Sequence, residues 1–224
     1  MNPLLTQASA QADAALRRAL ERSDFPPTRP SDRAELSSAA PRALGLDAEA
    51  LAAGLELSGT WLASAAGRGG FVNFTLTEAW FDAAAARPPE RVPLCAPEPV
   101  PVACPARIDP FDWCFLTALK GKAPDPALAA RQDRENPGAL VRMTLRRLED
   151  VEERAADSAP WTAQRRALLL LLARFEPKAG RKRQAIYLSQ VARAVWELGP
   201  LELGAPLLRC AVGVLSQGCA ALTR

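Results

Sequence analysis

Arginine is the reactive residue type this chain has most of: it supplies 24 of the 28 basic residues. A guanidinium is a permanent cation with a planar fork of N–H donors, so its chemistry is the binding of carboxylate and phosphate. The cations are unevenly spread. Residues 1–87 hold 8 basic and 10 acidic residues, residues 88–105 hold 1 and 2, and residues 106–224 hold 19 and 13, a net +6. The overall excess of +3 therefore belongs to the C-terminal part. Arg181, Lys182 and Arg183 stand together where a helix should begin, and positive charge there opposes the helix dipole. An anionic partner would relieve that placement; the plainer alternative is a solvated charge run. The chain has no histidine, which removes His-dependent triads, His general bases and His-ligated zinc. Its five cysteines, Cys95, Cys104, Cys114, Cys210 and Cys219, form no C-x-x-C pair. They read as unpaired thiols of a reducing, cytoplasmic setting. No catalytic group, metal site or cofactor is expected.

The elements that must position these cations follow from periodicity. Hydrophobic residues make up 49% of the chain, enough for a packed core. The stretch RPPERVPLCAPEPVPVACP is dense in proline, which removes amide donors and restricts the preceding residue. It reads as an extended linker over 88–105, dividing the chain into residues 1–87 and 106–224. The N-terminal part reads as α+β. Helices are expected over Leu4–Leu20, Ser31–Ala43 and Asp47–Leu55, with Asp47 as N-cap. A hairpin is expected where Gly67, Gly69 and Gly70 precede FVNFTLT, with Val72, Phe74 and Leu76 on one face and Phe71, Asn73 and Thr75 on the other. A closing helix is expected over Glu78–Ala86. The C-terminal part reads as an all-α antiparallel helical bundle. Five helices begin near Asp109, Asn136–Pro137, Pro160, Arg181 and Leu207, and the Leu168–Leu172 run is placed at the centre. Trp61, Trp113, Trp161 and Trp196 are expected to pack in the core. No run of 18 apolar residues occurs, so no membrane span is expected. The first 22 residues read as an amphipathic helix and not as a signal peptide.

GRGGFVNFTLTEAW (67–80), DPALAARQDRENPGALVRMTLRRLEDV (125–151) and the closing stretch from RRALLLLLARFEP through IYLSQVARAVWELGPLELGAPLLRCAVGVLSQGCAAL occur in an order that resembles arginyl-tRNA synthetases. The first is similar to the glycine–aromatic–x–Asn–aromatic signature of their small N-terminal domain. The second is similar to the start of their DALR anticodon-binding domain, with Asp125, Leu128, Ala129, Gln132, Asn136 and Pro137 on the matching positions. The nucleotide-binding domain that lies between these parts in the synthetases is replaced here by the proline-rich stretch. The two histidines of the ATP-site signature and the lysine loop are missing as well.

The resemblance implies tRNA contact through Phe71 and Asn73, an aromatic ring to stack on a base and an amide to read its edge. On the DALR helix, the positions that carry Tyr, Tyr and His in the synthetases hold Leu140, Met143 and Leu145. The stacking platform is lost, but Arg147 matches a retained Arg, and Arg142 and Arg146 add charge for phosphate. Packing alternatives stand beside these roles: Phe71 under the first helix, Asn73 on a backbone group, and Arg142, Arg146 and Arg147 as a solvated face with pairs such as Arg146–Asp150. The expected function is a non-catalytic tRNA-binding adaptor, possessing no adenylate-forming chemistry of its own and presenting tRNA to a tRNA-modifying or synthetase partner. The alternatives are a subunit that completes a synthetase catalytic domain in trans, and an interaction module without RNA.

Overall fold

The computed structural model describes residues 2–31, 34–89, 104–157, 159–176 and 178–223. The chain is mostly helical, with one small antiparallel sheet, and divides into two compact units, Met1–Ala84 and Ala85–Arg224. The stretch expected to link two domains falls mainly at 90–103, outside the described residues, as does Cys95.

The first unit is α+β, as expected. Helix α1 (Pro3–Leu20) opens with Asn2 as cap and proline at its start. It carries its buried side chains, Leu4, Leu5, Ala8, Ala12, Ala15 and Leu16, at helical spacing. A four-stranded sheet follows, in the order β1–β2–β4–β3, from β1 (Arg29–Pro30), β2 (Leu36–Ser38), β3 (Leu62–Arg68) and β4 (Phe71–Leu76). Short helices α2 (Ala40–Leu44) and α3 (Ala48–Ala53) lie between β2 and β3, with Asp47 capping α3. Helix α4 (Glu78–Ala85) closes the unit. Val72, Phe74 and Leu76 are buried with Trp80 and Phe81. The Trp80 indole N–H donates to the Leu4 carbonyl at 3.1 Å and ties α4 to α1.

Two expectations fail here. The helix read over Ser31–Ala43 is instead β2 followed by α2. Leu36 pairs opposite Phe74 and Ser38 opposite Val72, so this strand covers one edge of β4. Three residues are too few to show a period of two, and the pairing partner lies far along the chain. Nor does Gly67 belong to the turn. Gly69 and Gly70, at φ 58° and 79°, make the two-residue hairpin loop between Arg68 and Phe71. Gly67 sits within β3, where a Cβ would come 2.2 Å from the Ala48 carbonyl carbon. Its role is the close approach of β3 to the first turn of α3.

The second unit is all helix among its described residues: α5 (Pro110–Lys120), α6 (Pro126–Ala129), α7 (Pro137–Val151), α8 (Ala163–Ala173), α9 (Arg181–Leu198) and α10 (Ala205–Thr223), with single 3-10 turns at Glu152–Arg154 and Pro200–Glu202. The short α6 was not foreseen. Aspartate or asparagine caps three of these helices just ahead of a proline: Asp109 for α5, Asp125 for α6 and Asn136 for α7. Helices α9 and α10 each pack against α5, α7 and α8, and against one another, so the centre lies there and not in α8 alone. Helix α10 is long and apolar enough to cross a membrane, but 78% of its most apolar window is buried inside the protein, as in a core helix.

Candidate nucleic-acid interface

The sheet of the first unit turns its second face outward. On β4 the alternation places Val72, Phe74 and Leu76 inside, leaving Phe71 and Asn73 half-buried and Thr75 exposed. Asn73 pairs with Ser37 on one side and Ala66 on the other, and its Oδ1 accepts a hydrogen bond from the Ser37 hydroxyl at 2.9 Å. The amide oxygen is thus engaged within the sheet. Phe71 stands opposite Arg68 at the hairpin end. Phe71 and Asn73 do share one face, flanked by small and polar side chains.

Helix α7 presents two different edges. At its start the Asn136 side chain accepts from the Gly138 N–H at 3.0 Å and donates to the carbonyls of Ala129 and Arg131. This fixes the entry from α6 to α7. A Cβ on Gly138 would lie 2.9 Å from the Asp112 Cα, so α7 and α5 meet backbone to backbone here. That approach sets Arg142 directly on Asp112, which is 0% exposed. The guanidinium donates to Asp112 Oδ2 at 2.9 Å and Oδ1 at 3.3 Å, and also to Gln132 Oε1. Its Nε lies 3.5 Å from the Asp109 carboxylate. Burial pushes the Asp112 carboxyl above its ordinary range, and the Arg142 hydrogen bond offsets this in part. Arg142 therefore serves as a tie between α5, α7 and the loop before α7, with its Nε and Nη2 donors occupied.

The other edge of α7 differs. Arg146 and Arg147 are exposed. The Arg147 guanidinium lies over the Trp196 ring of α9, 5.0 Å from its centroid. Arg134, from the loop before α7, lies over the same ring at 5.5 Å. Trp196 is half-buried, not enclosed in the core as expected. Trp113, by contrast, is buried with Ile108, Leu116 and Ala129.

The run opening α9 separates into three roles. Arg181 donates to the Leu222 carbonyl in the last turn of α10, where a cation complements the dipole. Arg183 lies 3.5 Å from Glu176, both exposed. Lys182 is exposed and has no ion pair among the described residues. The awkward start of one helix is thus balanced by the end of another.

Elsewhere, a cavity of about 580 Å³ lies between α8 and α9, with Leu168, Leu171 and Leu198 beside Arg165, Glu197 and Glu202. The buried Arg165 donates to the carbonyls of Leu203 and Pro160 and lies over Trp161, 5.0 Å from the ring centroid. Desolvation lifts the thiols of Cys114, Cys210 and Cys219, Cys210 to about 12, so none of these is a thiolate nucleophile at neutral pH.

Arg134 is not singled out by sequence reasoning, and Trp196 is read there only as a core residue. Arg134 stands in a loop among mixed charges, and a tryptophan on an amphipathic helix reads as core. The available signal was that Trp196 falls one residue after Val195 of the buried stripe Leu188–Val191–Val195, and so off that stripe. No family model, curated protein or solved structure matches the chain.

Proposed function

We propose that this chain is a non-catalytic RNA-binding protein related to the arginyl-tRNA synthetases, with tRNA as its ligand and a role as adaptor for a second enzyme. In this reading the second unit is a DALR-type anticodon-binding bundle and the first is the small domain that meets the outer corner of tRNA. The observation that carries the reading is a set of exposed cations on α7 and α9. Arg146 and Arg147 on α7, and Lys182 in the first turn of α9, have no carboxylate partner among the described residues, in the half of the chain that holds the basic excess. Cations left in water with no internal partner are free to replace the counterions of a phosphate backbone. Phe71, on the open sheet face of the first unit, supplies a ring on which a base can stack.

The test is a salt series of tRNA binding by the purified full chain, together with an aminoacylation assay containing ATP, arginine and tRNA. Binding that weakens steeply with salt, with no turnover above background, supports the reading. Absence of binding at low salt rejects RNA as the ligand, and turnover rejects the non-catalytic assignment.

A further inference from the structure

We propose that Arg134 and Arg147, braced on the Trp196 ring, form a clamp for the phosphodiester backbone of an RNA strand. The inference rests on the RNA-binding reading and names the place where it acts. Two guanidiniums converge on one indole, 5.5 and 5.0 Å from its centroid. Two cations drawn to one ring raise the local positive potential, and the usual remedy in a folded protein is a nearby carboxylate. Among the described residues neither has one, and neither donates a hydrogen bond to any protein acceptor. The nearby chain shows the contrast: Arg131 is paired with Asp133 and Glu135, and Arg142 with Asp112.

Stacking on an indole restrains an arginine without using its N–H donors. Each guanidinium thus keeps its hydrogen-bonding fork available while losing part of its freedom before any ligand arrives. That is pre-organisation for a dianion or a run of monoanions. Two further cations are exposed on the same helices and without carboxylates among the described residues. Arg146 adjoins Arg147, and Arg193 lies one turn before Trp196 on α9. The acidic neighbours of Arg134 in sequence, Asp133 and Glu135, pair with Arg131, and Glu197, next to Trp196, lines the cavity toward α8. The net +6 of residues 106–224 favours a polyanion that carries a charge at every repeat, as the backbone of an RNA strand does.

The test uses the full chain and unfractionated tRNA, with affinity measured from about 50 to 200 mM salt. The variants are Arg134→Gln with Arg147→Gln, Trp196→Leu, and Arg209→Gln as an exposed control on α10 that removes one charge. The double variant should lose about tenfold or more in affinity, and the slope of log affinity against log salt should become shallower by about 1.5 to 2. Trp196→Leu keeps every charge, so it should lower affinity several-fold with a smaller change in slope. Arg209→Gln should shift the slope by no more than half as much per charge removed. Thermal unfolding of each variant should match the parent, because the substituted groups are exposed or half-exposed. If the parent binds tRNA and the double variant binds equally well, the clamp is wrong and the RNA reading survives. An equal effect at Arg209 also overturns it, in favour of a diffuse field. If the parent binds no tRNA, or binds poly-glutamate as tightly, both fall.

Discussion

Arg142 and Arg147 lie five residues apart on one helix and could hardly be used more differently. Arg142 faces α5, buries most of its side chain and is held by Asp112, Asp109 and Gln132. Arg147 faces α9, lies on an aromatic ring and has no carboxylate partner among the described residues. Counting arginines treats the two alike, and so does the local sequence. What separates them is whether the fold delivers a carboxylate to the guanidinium. A cation already neutralised inside the protein adds little to the field a phosphate feels, whereas one left on the surface adds its full charge, screened by salt. In the proposed RNA contact the outward edge of α7 acts, and Arg142 holds the architecture.

The largest change is expected at Asp112. Asp112→Ala leaves Arg142 in a half-buried site without its main partner, and Gln132 alone cannot balance the charge. Removing one member of a buried pair typically costs about 3 to 5 kcal/mol. A stability loss of that order in urea denaturation is expected, with tRNA affinity at low temperature little changed. The companion variant, Asp112→Leu with Arg142→Met, removes both charges and fills similar volume. Its stability should return to within about 1 to 2 kcal/mol of the parent. If the double replacement is as damaging as the single one, the pair fixes the α5–α7 geometry in a way that apolar packing cannot replace.

Arg147→Gln is the mirror experiment. The side chain is exposed, so stability should stay within about 0.5 kcal/mol of the parent. The salt slope of tRNA binding should fall by about 1. Arg142→Gln should do the reverse, lowering stability with little change in slope. A result in which both arginines reduce the slope equally would erase the distinction between the two edges of α7.

Helix caps and hairpin were legible because their signals are local. Asp47 and Asn136 read as caps and Asp109 as a helix start, and two adjacent glycines lead into an alternating run; the cap at Asp125 was not legible, because α6 is a single short turn. The inward face of β4 and the five long helices of the second unit were legible from period alone. Strands β1 and β2 were not, since two- and three-residue strands exist only through their partners. The same limit governs the candidate site. Arg147 could be singled out but not its Trp196 support, and Arg142 could not be told from its neighbours. Asp112 is 30 residues away, and only the close approach at Gly138 brings it into reach.

The smallest effect bears on the balance within the Asp112 site itself. Burial raises the Asp112 carboxyl, the Asp109 charge raises it further, and Arg142 and Gln132 pull it back without cancelling the shift. A carboxyl whose folded value exceeds its unfolded value binds more proton in the folded state. Stability then falls as pH rises from the ordinary carboxylate value, about 4, through the raised one. Asp112→Asn has no such titration. The stability of the parent minus that of the variant should therefore decrease as pH rises through that window, in paired denaturation curves collected from about pH 4 to 7. A difference that stays flat or grows with pH would mean that Arg142 outweighs burial. Arg142 would then stabilise the ionised form outright, and the inner edge of α7 would be a strong ion pair, not a costly charge held in place by its neighbours.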